Sequence, residues 1–139
     1  MAANPQFAST PEFNLITVNN STGGSRTSST ANSFLLITGA TGVGFSGTKV
    51  TQIGGKYTNS NPAGLVYIYV TDTTGSSASA RLYDELLFTA TTPSTTAVSA
   101  RVINTYTDLQ LSPSQSIWVS SSINASTQSL TVWASGGDF

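Results

Sequence analysis

The chain has no histidine and no cysteine, and only 8% of its 139 residues are charged. Most enzymatic proton transfer and nucleophilic attack runs through His, Cys, Lys, Asp or Glu, so two of those five types are missing and the rest are sparse. That balance favours a building block over a catalyst. Without cysteine there are no disulfides and no thiolate metal sites. The five basic residues, Arg26, Lys49, Lys56, Arg81 and Arg101, are scattered singly along the chain, and the net charge is −1. Phosphate neutralisation and anionic membranes both call for clustered Lys and Arg, so neither nucleic acid nor membrane is an expected partner. The longest apolar run, Leu65 to Val70, is far too short to cross a bilayer. The opening Met1-Ala2-Ala3-Asn4-Pro5-Gln6-Phe7 lacks the basic and apolar regions of a secretory signal. Synthesis in the cytoplasm is therefore expected. On that expectation the glycosylation sequons at Asn20 and Asn124 are coincidental.

What fills the chain is serine and threonine, close to a third of all residues, interleaved with β-branched and aromatic residues. The length is that of one domain, enough to bury roughly two-thirds of the unfolded surface. Strand signals dominate. Phe13–Val18, Ser33–Thr38 and Lys49–Ile53 are short apolar-rich runs. Leu65–Val70 is apolar on both faces and bounded by turn residues, which predicts a central strand covered on both sides. In Arg81–Thr89, alternation sets Leu82, Asp84, Leu86 and Phe88 on one face and Arg81, Tyr83, Glu85 and Leu87 on the other. Val98, Ala100 and Val102 outline the next strand, Ile117 and Val119 another, and Leu130, Val132 and Ala134 the last. No capped stretch of helical period occurs. The expected fold is all-β: a single antiparallel β-sandwich, jelly-roll-like, of about eight strands. It spans residues 13–139 behind an extended N-terminal arm, residues 1–12. Ser and Thr then supply the solvent side of the strands. The strand edges lack blocking lysines, so a neighbouring subunit is expected to cover them.

Four features suggest chemistry. Gly42-x-Gly44-x-x-Gly47 comes after a strand, as in a dinucleotide-binding turn, but the next residues, Thr48 to Gly55, are strand-like where a phosphate-holding helix would have to begin. It is expected to be a loop, with no cofactor. Asp84 and Glu85 are adjacent carboxylates, yet neighbours on a strand point to opposite faces and cannot share a substrate. An ion pair with Arg81 or Arg101 is the expected use. Asp72, Asp108 and Asp138 stand in loop-like contexts without a calcium-loop spacing, and are expected as turn residues and caps, not as a metal site. Trp118 and Trp133 alternate out of phase with the apolar residues beside them, so each is expected to face outward or into a contact; a sugar-binding face lined by them with Tyr57, Tyr67, Tyr69 and Tyr106 is the alternative use.

Leu109-Gln110-Leu111-Ser112-Pro113-Ser114 ahead of Ile117-Trp118-Val119, and the ending Gly136-Gly137-Asp138-Phe139, resemble segments of small β-rich virion structural proteins of tailed bacteriophages, of the capsid-decoration or head-auxiliary type. The opening Met1 to Pro5, the Thr38–Gly42 loop, Val66–Val70 with Asp72, Arg81–Glu85 and Ala90–Ser94 fit the same outline. The resemblance implies a non-enzymatic virion protein, made in the bacterial cytoplasm, that binds and stabilises the outer capsid lattice. Its partners would be the major capsid protein or another virion protein. It would be a homo-oligomer, with a trimer fitting local threefold positions. A carbohydrate-binding or fibre- and tail-associated module is the alternative. The residues expected at the contacts are Phe7, Phe13, Trp118, Trp133, Asp138 and Phe139.

Overall fold

The computed structural model describes residues 10–27, 32–127 and 129–139. These form nine strands: β1 (Thr10–Val18), β2 (Phe34–Thr38), β3 (Thr48–Tyr57), β4 (Gly64–Val70), β5 (Arg81–Phe88), β6 (Arg101–Thr105), β7 (Gln110–Leu111), β8 (Ser116–Ser121) and β9 (Leu130–Asp138). One 3-10 turn, Ser77–Ser79, is the only helical element among the described residues. Thr10–Glu12, the end of the expected arm, open β1; Phe7 lies outside the described residues.

The strands make two sheets. Sheet I has the order β1-β9-β3-β6, with β7 on the start of β3; sheet II has the order β2-β8-β4-β5. All pairings are antiparallel. They nest about the β4–β5 hairpin. Outward from it, β3 pairs β6, β2 pairs β8 and β1 pairs β9, with successive pairs alternating between the sheets. A long hairpin wrapped in this way is the jelly roll. The ninth strand, β7, is a two-residue addition on Thr48 and Lys49.

Alternation places Val50, Ile53, Leu130, Val132 and Ala134 of sheet I against Ile37, Val66, Ile68, Leu86, Phe88, Ile117 and Val119 of sheet II, all buried in one core. Glycines 54 and 55 lie within β3, although glycine usually weakens a strand. Each admits an aromatic ring. A Cβ on Gly55 would stand 2.9 Å from Phe88 Cζ on the core side, and one on Gly54 would stand 2.4 Å from Trp133 Cζ2 on the outer side. Phe88 meets Tyr57 edge-to-face, ring centres 5.0 Å apart, joining the two sheets.

β4 is central, between β8 and β5, and is covered on both sides as expected. Its second cover is not a layer of structure but the segment that leaves β1. Gly24 N–H donates to Ser121 O (2.7 Å), the Tyr69 hydroxyl donates to Ser25 O (2.6 Å), and Arg26 sits 5.5 Å over the Tyr67 ring. Asn20, also in this segment, is buried and donates from Nδ2 to the carbonyls of Thr22, Ser121 and Ile123. Its amide is thus spent on structure.

Four expectations need correction. Leu82 does not face the core with Leu86 and Phe88. A register shift opposite Ile68 and Tyr69 turns it outward, where it packs beside Tyr67, Tyr69 and Trp118. Val98 belongs to no strand and is 85% exposed, because Ser94 Oγ accepts from the N–H groups of Thr96 and Ala97 and holds a turn there. Asp138 is not a loop residue but the last residue of β9. Finally, Ser and Thr are not confined to the solvent side. Thr48, Thr71, Ser116, Ser120 and Ser121 are buried; Ser116 N–H donates to Thr71 Oγ1 and Ser116 Oγ to Gly75 O. Hydroxyls that both donate and accept satisfy this interior without charge.

Candidate functional site

The outer face of sheet I exposes apolar side chains in a row. Cross-strand register aligns Leu15 of β1, Trp133 of β9, Gly54 of β3 and Ile103 of β6 in one row. None of the three side chains belongs to the core. With no side chain on Gly54, the indole of Trp133 lies across β3, and the row becomes a continuous apolar stripe. Phe13, one step along β1, extends it. Phe13 is 60% exposed and Leu15 57%. Two of the expected contact residues, Phe13 and Trp133, thus share one face. In the next row, Thr17, Thr131, Lys56 and Arg101 lie side by side, and Lys56 stands directly opposite Arg101. Lys49 lies on the same side of β3, at the far end.

Trp118 occupies the outer face of sheet II, in register with Tyr69 and Leu35. It is half-buried beside Tyr67, Tyr69 and Leu82, and its Nε1 donates to Ser116 Oγ (3.0 Å). Burial and the nearby Tyr67 and Glu85 push the Tyr69 hydroxyl up to about 12, so it stays a donor to Ser25 O. This aromatic cluster is closed by its own connecting segment.

The carboxylates are held in structural pairs. Asp84 and Glu85 point to opposite faces, as alternation requires. Asp84 accepts from the Tyr106 hydroxyl (2.7 Å) and Asn104 Nδ2 (2.9 Å). Burial alone would raise Asp84, but these bonds and the Glu85 N–H outweigh it and hold the carboxyl below its usual value. The partner of Glu85 is Arg26, not Arg81 or Arg101. Asp72 caps its own turn, accepting from Thr74 N–H and Oγ1, and is lowered by them. Asp138 accepts from Thr48 Oγ1 (2.6 Å), and Thr48 in turn accepts from Ala40 N–H (2.9 Å). Glu12 is hydrogen-bonded to Asp138. Burial, that hydrogen bond and the charge of Asp138 raise Glu12 to about 7. Phe139 is half-buried; its N–H donates to Gly47 O (3.2 Å) and its carbonyl accepts from Ser46 N–H. Asp138 and Phe139 therefore sit apart from the Trp133 stripe and tie β9 to the loop before β3. Among the described residues, no three His, Cys, Asp or Glu side chains gather as a metal site.

The glycine motif is a loop, and β3 begins where a nucleotide fold needs a helix. Gly47 has φ of 139°, and a Cβ there would lie 2.1 Å from Leu111 O, so the loop is shaped by packing on the β7 segment. The pairing of Lys56 with Arg101 was not visible in the chain, because 45 residues separate two basic residues that only the β3–β6 register brings together. The spacing of Trp133 relative to Val132 gave its outward direction; nothing in the spacing gave Gly54 as its seat. No protein-family model, curated protein or solved structure matches the chain.

Proposed function

We propose that this protein is a non-enzymatic structural component of a tailed-phage virion, a decoration or auxiliary protein that binds the outer capsid lattice and stabilises it. The observation that carries the reading is the stripe of Phe13, Leu15, Trp133 and Ile103, the first two exposed and the last two half-buried, on a fold whose own segment covers Tyr67 and Tyr69 of the other sheet. Contiguous exposed apolar surface on a soluble domain marks an interaction site. A typical specific interface buries about 800 Å² per partner, and many copies around a shell multiply a modest contact. The engagement of Asp72, Asp84, Glu85 and Asp138 in internal hydrogen bonds or ion pairs supports scaffolding over catalysis. The virion placement rests on the sequence resemblance. The test is cryo-electron microscopy of the virion that carries the chain. Density at regular positions on the shell exterior is the expected result, and absence of the chain from purified particles would overturn the reading.

A second reading, a carbohydrate-binding module, is favoured by one feature: an indole laid over a glycine on an open sheet offers a flat platform for a sugar ring. Glycan-array binding lost on Trp133→Ala would select it.

A further inference from the structure

The outer face of sheet I carries charge of one sign. Lys49, Lys56 and Arg101 lie on it, and none of the six carboxylates does. Glu12, Asp84 and Asp138 turn to the inward side of their strands, Glu85 lies on the outer face of sheet II, and Asp72 and Asp108 sit in loops. Taking three cations from this face leaves two cations and six carboxylates, net −4, on the rest of the molecule. Lys56 and Arg101 are directly opposed across β3 and β6, an arrangement that is unfavourable in itself. Among the described residues the only ion pair is Arg26–Glu85, so neither member of this pair meets a carboxylate within the chain.

We propose that this face docks a protein surface of complementary build: an apolar centre that receives Trp133, Leu15 and Phe13, beside carboxylates that receive Lys56 and Arg101. The proposal rests on the assembly reading for the existence of a protein partner, and adds the chemistry of that partner. Three observations select this occupant. The stripe demands apolar contact, which a phosphate backbone does not provide, and three cations are too few for a polyanion site. A second copy set face to face would bring no carboxylate to Lys56 and Arg101, because this face carries none. Arg and Trp are the residue types that dominate interface energies once docked, and this face carries both.

The probe is a fluorescently labelled random copolymer of glutamate and tyrosine, titrated with the full chain at low salt and read by anisotropy. Polyglutamate and heparin are run in parallel. Arg101→Glu keeps the fold because the side chain is exposed, Lys56→Gln is the milder partner variant, and circular dichroism verifies both. Saturable binding of the copolymer, weakened about tenfold by Arg101→Glu and by Trp133→Ala, is the expected result. Arg81→Glu, at the start of β5 in the other sheet, leaves it unchanged. Equal binding of polyglutamate or heparin would overturn the proposal by showing a charge-only site. Equal loss with Arg81→Glu would overturn it by removing the face. Self-association of the wild-type chain abolished by Arg101→Glu would overturn it in favour of a second copy. Absence of the chain from virions, with copolymer binding intact, would instead remove the virion reading and leave the face.

Discussion

Glu12 and Asp138 offer a direct test of how β1 is held. They lie diagonally across the β1–β9 ladder, Glu12 opposite Gly136 and Asp138 opposite Thr10, both on the inward side. Asp138 is already fixed by the Thr48 hydroxyl, so ionising Glu12 sets a second negative charge against an immobile first one. Burial, the hydrogen bond to Asp138 and its charge raise Glu12 from 4.5 to about 7. The unfolded chain keeps the lower value. Between pH 4.5 and about 7 the native state therefore holds a proton that the unfolded state has lost, and stability falls as pH rises through that window. The contribution is complete below the lower value and gone above the upper one. At 1.36 kcal/mol per pH unit the bound is about 3 kcal/mol. Glu12 keeps contact with solvent at the sheet edge, and screening reduces this to about 1–2 kcal/mol. Glu12→Gln replaces the carboxyl proton with an amide donor that does not titrate. Urea unfolding of the wild type should lose about 1–2 kcal/mol between roughly pH 5 and pH 8, and the variant should stay flat. Asp138→Asn should reduce the slope without abolishing it, because it removes the charge that helps raise Glu12 and leaves the burial. The chain has no histidine, so no imidazole titrates across the same range. A wild-type profile without slope, or a Glu12→Gln profile that keeps it, would refute the reasoning.

Packing contacts give three more tests. Phe88→Ala removes the ring that meets Tyr57 across the sheets, and should lower unfolding free energy by about 3–5 kcal/mol in urea titration. Gly54→Ala places a methyl group 2.4 Å from Trp133 Cζ2, so the indole must lift; the measurements are near-ultraviolet circular dichroism and tryptophan emission, with a stability loss of about 1 kcal/mol. Asn20→Ala leaves the carbonyls of Thr22, Ser121 and Ile123 without their shared donor and should cost about 1–3 kcal/mol by thermal unfolding, with Asn20→Asp no better because it too lacks the amide donor.

Much of the architecture was legible because the code of a strand is local. Leu130, Val132 and Ala134 alternate with Trp133, and that alone fixed which side each would take. Readings that failed did so where something distant intervened. The glycines within β3 carry no local sign of their purpose, which is a pair of rings 33 and 79 residues away, on Phe88 and Trp133. Leu82 was misplaced by one bulge, which inverts every facing beyond it and leaves no trace in composition. Buried Thr71 and Ser116 looked like solvent-side residues because a hydroxyl shows no sign, in sequence, of whether its partner is water or Gly75 O. The contact face was half legible. The outward direction of Trp133 came from period two, while the company it keeps, Leu15, Ile103, Lys56 and Arg101, is a property of sheet order.

The two outer faces of the sandwich pose one problem and solve it differently. Sheet II carries Tyr67, Tyr69, Leu82 and Trp118 outward, and residues from the β1–β2 connection cover Tyr67 and Tyr69, while Leu35 and Leu87 stay exposed. That cover is closely fitted: a Cβ on Gly24 would fall 2.0 Å from Ser120 Oγ and one on Gly23 2.2 Å from Ser122 O, so two consecutive glycines are needed for the backbone to lie flat on β8. Arg26 then closes the cover by its pairing with Glu85 and its stacking on Tyr67. Sheet I carries Phe13, Leu15, Ile103 and Trp133 outward, and no described segment crosses them. The β2–β3 connection, which leaves the adjacent edge, is instead drawn toward Leu111 and Ser112 by Gly39 and Gly47. Single exposed apolar residues need no explanation on a protein surface. Four on one face, bordered by cations with no carboxylate among them, on a chain whose own segment covers Tyr67 and Tyr69 of the other sheet, are what a docking face requires.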